Sequence, residues 1–197
     1  MLDDTGEQLR LYAQYHLKAA QKILEENYPQ ANFEHLGSGG FGDVFLDKNN
    51  PTLVYKICGS DSYAPNFNID LDADRAKRLD DEIVNLKLLG KKGLGPLVYP
   101  DKLVKTSNYY IIVMERVSFD EGGIEAIPKD QRQKYAETLY AFFLEHNKMF
   151  PSDSDVVWDK ENLNFVILDG GALRQADYGQ PAERALLDRL IKRSLSL

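Results

Sequence analysis

Four glycines stand within six residues of this chain, and this cluster constrains the fold more than any other feature. They occur in the segment Gly37-Ser38-Gly39-Gly40-Phe41-Gly42-Asp43-Val44, which follows the pattern G-x-G-x-x-G-x-V. Because glycine has no Cβ, backbone N–H groups in such a segment can approach phosphate oxygens closely. The residues on either side, 32–37 and 43–47, predict two strands that flank the glycines.

Two interpretations of the glycine segment compete. In a dinucleotide-binding fold, such glycines follow a strand and open a helix. Here residues 43–47 lead instead into a turn at 48–51 and a further β-branched run at 52–57. A glycine-rich hairpin that covers a nucleotide fits this order better. We therefore expect Val44 and the whole glycine segment to bind nucleotide: Gly37, Ser38, Gly39, Gly40, Phe41 and Gly42.

The rest of the chain divides into a β-rich part and a mainly helical part. Periodicity predicts helices over 6–27, 73–90, 129–149 and 182–195, and further strands over 97–104, 109–117, 156–158 and 164–168. This order predicts an α+β chain built as two lobes with a cleft between them.

Lys56 lies twelve residues after Val44, inside a predicted strand. Strand alternation places Val54 and Lys56 on one face, so Val54 could contact an adenine ring while Lys56 reaches phosphates. An exposed strand lysine is the alternative, because most lysines are solvated. The preceding glycine segment favours the phosphate role.

Glu82 lies on the apolar face of the predicted helix 73–90, which also carries Leu79, Ile83, Leu86 and Leu89. A carboxylate on an apolar face needs a partner, and Lys56 is the predicted one. Asp81 lies one residue off that face and is the weaker candidate.

The order of these motifs resembles that of the protein kinases and the related small-molecule kinases. The segment Ile111-Ile112-Val113-Met114-Glu115-Arg116-Val117 is similar to their fifth strand and hinge. The resemblance implies that Met114 is the gatekeeper and that the backbone from Glu115 to Val117 binds adenine. It also implies that Asp120 or Glu121 meets the ribose.

The same resemblance implies a domain plan. A helical extension over 1–30 precedes an N-terminal antiparallel β-sheet lobe over 31–118 and a truncated helical C-terminal lobe over 119–197. The expected fold is therefore a two-lobed, protein kinase-like α+β fold. Because only 28 residues follow Asp169, the second lobe is minimal.

Val166-Ile167-Leu168-Asp169-Gly170-Gly171 resembles the strand and D-F-G segment of kinases. This implies that Asp169 binds the Mg²⁺ that bridges the β- and γ-phosphates of ATP. Gly170 stands where the family has phenylalanine. A plain turn is the alternative, because aspartate before glycines is common in turns.

The catalytic loop departs from the family pattern. No H-R-D-L-x-x-x-N precedes residues 156–158, and Pro151-Ser152-Asp153-Ser154-Asp155 takes its place. Asp155 stands where kinases have a metal-binding asparagine, and a carboxylate is a good hard-oxygen ligand. Asp153 is then the candidate general base, although the family's two residues are five apart and these are two apart. A plain Asp/Ser turn is the alternative.

The implied activity is ATP- and Mg²⁺-dependent transfer of the γ-phosphate to a protein hydroxyl, on serine or threonine rather than tyrosine. A pseudokinase that holds a nucleotide or a protein is the first alternative. A small-molecule kinase of the antibiotic-phosphotransferase kind is the second, although such enzymes usually have a large second lobe. In size the chain is similar to reduced kinases that bacteria deliver into host cells.

Composition excludes several other classes. The net charge is −7, from 24 basic and 31 acidic residues, so nucleic acid is not an expected partner. The single cysteine, Cys58, permits no intrachain disulfide. No apolar run approaches the roughly 20 residues of a membrane span, and the start lacks a signal core. We expect a cytoplasmic protein, or one exported without a classical signal peptide. His16 and His35 lie in patterned elements and are predicted to be structural.

Overall fold

The structure is a computed structural model that describes residues 4–39, 42–59, 67–119, 126–146, 148–149, 156–168, 174–175 and 192. Two compact units divide the chain: Met1–Asp80 with Leu97–Arg116, and Asp81–Pro96 with Val117–Leu197. The described part is α+β, as predicted. Its elements are α1 (Asp4–Asn27), β1 (Phe33–Gly39), β2 (Gly42–Asp47), β3 (Leu53–Cys58), α2 (Ala73–Lys91), β4 (Val104–Lys105), β5 (Tyr110–Glu115), α3 (Arg132–His146), β6 (Lys148–Met149), β7 (Val156–Asp159), β8 (Asn164–Ile167) and β9 (Arg174–Gln175).

A five-stranded antiparallel sheet forms the centre of the first unit, in the order β1-β2-β3-β5-β4. The strand β3 pairs with β2 on one side and with β5 on the other, and all six of its residues are buried. A strand covered on both faces is rich in apolar residues on both, and Leu53–Cys58 has this composition except at Lys56.

The helix α1 belongs to the core of the first unit. Its residues Ala20 and Leu24 are fully buried in one cluster with side chains from the sheet. The sheet residues of this cluster include Phe33, Phe45, Leu53, Tyr55, Ile57, Ile111 and Val113. The register places these strand residues on one face of the sheet, which we call the helix face. The amphipathic pattern of 6–27 is thus explained by packing on the sheet.

Tyr28, which directly follows α1, contacts two other parts of the first unit. Its hydroxyl donates a hydrogen bond to the carbonyl of Lys102, and its ring packs edge-on against Tyr55 with the centroids 4.9 Å apart. Burial, together with the neighbouring Tyr55 and Tyr109, raises the pKa of Tyr28 to about 12. The phenol therefore remains a neutral hydrogen-bond donor throughout the physiological pH range.

The predicted strand over 97–104 is wrong. Val98 forms a single bridge with Met114, a 3-10 turn covers Pro100–Lys102, and only Val104–Lys105 forms a strand. The physical reason is Pro100, which has no N–H to donate to a ladder and readily occupies the first position of a helical turn.

The second unit has its own apolar core. Buried side chains from α2, α3, β7, β8 and the connecting segments form it: Leu89, Leu94, Ile127, Tyr135, Phe142, Val156, Phe165 and Ile167. The Ile167 N–H donates to the carbonyl of Leu94, at 2.8 Å, and so ties β8 to the segment that follows α2. The predicted helix 129–149 is shorter in the structure, because Lys129–Gln131 form a 3-10 turn and Lys148–Met149 pair with β9.

The predicted strands over 156–158 and 164–168 are confirmed, and they pair as a hairpin. Its strands β7 and β8 pair from Val156 with Ile167 to Asp159 with Asn164. The Asp159 carboxylate accepts hydrogen bonds from the N–H groups of Glu161 and Asn162, so an aspartate closes the turn.

The predicted helix 182–195 lies outside the described residues, except for Lys192, which is helical. Among the described residues, no helix combines the length and the apolar character that crossing a membrane requires.

Candidate functional site

The face of the sheet opposite α1 carries the predicted nucleotide-binding side chains. Val44 pairs with Lys56, and Val54 pairs with Met114. Residues directly opposite each other in an antiparallel ladder project from the same face. Val44, Val54, Lys56 and Met114 therefore share one face, which we call the lysine face. The predicted common face of Val54 and Lys56 is confirmed.

Lys56 is nearly buried on the lysine face. Only 7% of the residue is exposed, and Val54 and Met114 beside it are similarly covered. Lysine is among the residues least often buried, so the alternative of a solvated strand lysine is wrong. Removing an ammonium group from water is costly unless anionic or polar partners replace the water.

The glycine hairpin joins β1 and β2, and Gly39 pairs with Gly42 at its end. Gly42 has φ +136°, and a Cβ on it would lie 2.3 Å from the carbonyl oxygen of Ile57. A Cβ on Gly37 or Gly39 would meet no atom within 4 Å. Gly42 is therefore required by the packing of β2 on β3, whereas the fold itself does not require glycine at 37 or 39.

A β-bulge in β1 changes the direction in which Ser38 projects. The register shifts between His35 and Gly37, so that His35 pairs with Phe45 and Ser38 pairs with Asp43. His35 and Ser38 consequently both project from the helix face, although strict alternation would place residues three apart on opposite faces. The Ser38 hydroxyl lies on the face opposite to Lys56.

The backbone at the end of β5 is partly engaged within the chain. The Glu115 N–H donates to the carbonyl of Leu97, and the Arg116 N–H donates to the carbonyl of Thr52, both at 2.8 Å. These two donors are therefore not available to a ligand.

Glu82 is fully buried on α2. The apolar side chains predicted to share its face are also buried: Leu79, Ile83, Leu86 and Leu89. Asp81, in contrast, is exposed. The Asp72 carboxylate accepts a hydrogen bond from the N–H of Arg75, at 2.7 Å, and so caps the first turn of this helix. The predicted position of Glu82 on the apolar face is confirmed.

Several predicted site residues lie outside the described residues: Gly40, Phe41, Asp120, Glu121, Asp153, Asp155 and Asp169. Within the described part of the chain, no group of three or more His, Cys, Asp or Glu side chains is arranged to hold a metal ion.

Sequence reasoning missed one polar cluster of the glycine hairpin. The sequence predicts a structural role for His35, and in the structure its ring contacts both Ser38 and Asp43. The three residues stand at irregular spacing in the sequence, and the bulge that brings them together leaves no periodic signal.

No protein-family model matches the chain. A search of curated proteins finds no significant match.

Proposed function

We propose that this protein is an ATP- and Mg²⁺-dependent phosphotransferase with a two-lobed, protein kinase-like fold. It transfers the γ-phosphate of ATP to a hydroxyl of a protein substrate, on serine or threonine rather than tyrosine. The observation that carries the proposal is the lysine face, where Val44, Val54 and Met114 share one face of the sheet with the nearly buried Lys56, next to a glycine hairpin.

The lysine face suits a nucleotide because it combines apolar surface with one cation. Val44, Val54 and Met114 provide the apolar contacts that a purine base requires. The cation is Lys56, a residue that is 7% exposed, and its ammonium group is the proposed partner of the phosphates of ATP. In the proposed reaction Lys56 binds phosphates and Glu82 orients Lys56.

Adenine would bind the backbone that follows Met114. The N–H groups of Glu115 and Arg116 already donate within the chain. The Glu115 carbonyl and the backbone of Val117 therefore remain as the proposed partners of the base, and Asp120 or Glu121 as the partner of the ribose.

The register of the β7–β8 hairpin supports a shared metal site. Val156 pairs with Ile167 at the open end of this hairpin. Asp155 directly precedes Val156 and Asp169 follows Ile167 by two residues, so in the sequence both residues adjoin this end of the hairpin. Two carboxylates are hard-oxygen donors that suit Mg²⁺. When bound there, Mg²⁺ would neutralise the charge that develops on the transferred phosphoryl group.

Asp153 would act as the general base for the hydroxyl group of the protein substrate. Its carboxylate accepts the proton of the substrate hydroxyl while the hydroxyl oxygen forms a bond to the γ-phosphorus. The bond from this phosphorus to the β,γ-bridging oxygen breaks, and ADP leaves. Lys56 balances part of the negative charge on the leaving diphosphate.

MgATP is expected to raise the melting temperature of the protein. A ligand that binds only the folded state stabilises it by about 2.7 kcal/mol at a hundredfold excess over Kd. For a chain of this size we expect a shift of roughly 5–10 °C. Thermal unfolding with and without MgATP measures the shift, and titration calorimetry measures Kd. If neither method detects an interaction at millimolar MgATP, the proposal is wrong at its first step.

Glu82→Gln is expected to lower kcat/KM for phosphoryl transfer by about 100-fold, because a misplaced Lys56 no longer orients the phosphates. Asp81→Asn is the matched control: it changes the neighbouring, exposed carboxylate and should leave the rate unchanged. In the Lys56→Met background, Glu82→Gln should cause little further loss, because the two residues act as one unit. Additive losses in the double variant would contradict the assigned role of Glu82.

A binding module without catalysis is the second candidate. The observation that favours it is Pro151-Ser152-Asp153-Ser154-Asp155 in place of the usual catalytic-loop pattern. Incubation with γ-labelled ATP and generic protein acceptors separates the two functions. Tight MgATP binding without transfer to any acceptor, or to the protein itself, would support the binding module.

A further inference from the structure

Three polar side chains form a cluster on the helix face of the glycine hairpin. The His35 Nε2 atom lies 3.1 Å from Ser38 Oγ and 3.9 Å from Asp43 Oδ1. The Asp43 side chain is 7% exposed and that of His35 is 32% exposed. The His35 ring also packs against Phe45, with the centroids 5.2 Å apart. We call His35, Ser38 and Asp43 the hairpin cluster.

The hairpin cluster has the residue types of a hydrolase triad but not its geometry. In a triad, one ring nitrogen of histidine contacts the serine and the other contacts the aspartate. Here the same nitrogen, Nε2, faces both Ser38 and Asp43. The carboxylate therefore cannot set the tautomer that would make the ring a base toward Ser38, and nucleophilic catalysis is not indicated.

The hairpin cluster lies next to the glycines of the hairpin. Glycine loses more conformational freedom on ordering than any other residue, and Gly37 and Gly39 have no side chains to pack. His35 and Ser38 lie on β1 and Asp43 lies on β2, so the contacts of His35 join the two strands next to their glycine end. Such a restraint reduces the entropy that a ligand must remove on binding.

We infer that His35 is a positioning residue, which holds the glycine hairpin in the conformation that receives the phosphates of the nucleotide. The inference rests on the proposed nucleotide-binding function. It concerns the phosphates, because Val54 and Met114, two of the three proposed adenine contacts, lie on β3 and β5 and not on the hairpin. Val44, the third, lies on β2 but projects from the lysine face, opposite to the face that carries His35. His35 should therefore affect the affinity for MgATP and not that for adenosine.

Titration calorimetry with MgATP and with adenosine tests this selectivity. His35→Ala is expected to weaken MgATP binding about fivefold, the loss that one hydrogen bond typically causes. Adenosine affinity should stay within about twofold of wild type. His35→Gln, whose amide group can either donate a hydrogen bond to the Ser38 hydroxyl or accept one from it, should restore most of the MgATP affinity. Glu34→Ala is the matched control, since Glu34 precedes His35 on β1 and contacts Lys48 instead, at 3.3 Å.

A double variant tests whether His35 acts through Ser38. Each single variant, His35→Ala or Ser38→Ala, already removes the contact between the two side chains. The double variant should therefore bind MgATP no more weakly than the single variant with the lower affinity. Equal losses for MgATP and adenosine, no rescue by His35→Gln, or wild-type MgATP affinity in His35→Ala would each overturn the inference. Failure of the wild-type protein to bind MgATP would instead reject the proposed function.

Discussion

Asp169→Ala is expected to abolish phosphoryl transfer, with a loss of roughly three orders of magnitude or more. The proposed role of Asp169 is to hold the Mg²⁺ that balances charge on the transferred phosphoryl group, and alanine offers no oxygen ligand. The measurement is incorporation of label from γ-labelled ATP into a protein acceptor at saturating MgATP. Transfer at the wild-type rate by Asp169→Ala would exclude Asp169 from the metal site.

Two neighbouring carboxylates provide the matched comparison. Asp155→Ala should be partly rescued by excess Mg²⁺, because mass action refills a weakened metal site. Asp153→Ala should lower the rate by roughly two to four orders of magnitude without rescue, because a general base cannot be replaced by metal. The reverse pattern of rescue would exchange the two assignments, and unchanged rates in both variants would support the plain turn.

Gly42→Ala is expected to destabilise the folded protein by roughly 3 kcal/mol or more, from backbone strain and overpacking together. The residue has φ +136°, and the new Cβ would lie 2.3 Å from the Ile57 carbonyl oxygen and 3.0 Å from Cys58 Sγ. Backbone atoms of a central strand cannot move aside cheaply. Urea unfolding of wild type and variant measures the difference in free energy of unfolding.

Gly39→Ala is the control for Gly42→Ala, because Gly39 pairs with Gly42 and its Cβ would meet nothing within 4 Å. We expect the same stability as wild type, or a gain of about 0.5 kcal/mol from the less flexible unfolded chain. Its MgATP affinity should nevertheless fall, since a Cβ keeps phosphates away from the hairpin backbone. Equal destabilisation by the two substitutions would contradict the packing described here, and unchanged MgATP affinity would place the phosphates elsewhere.

Much of the candidate site follows from local periodicity. The period of 3.6 residues places Glu82 on the apolar face of α2, and the period of two places Val54 and Lys56 on one face of β3. Both patterns depend only on residues within one element. The structure confirms both predicted faces. The segment 97–104 shows where a strand prediction from apolar residues alone is wrong, because Pro100 starts a 3-10 turn there.

The sequence by itself determined most of the described helices and strands, their order, and the faces of α2 and β3, because each depends on side-chain spacing within a few residues. Only the tertiary structure decided three other features: that α1 covers the helix face, that Gly42 packs against Ile57, and that His35 meets Ser38 and Asp43. The first two depend on contacts between residues distant in the chain, and the third depends on a bulge that interrupts strand alternation. No local period encodes such contacts, which arise only when the elements pack together.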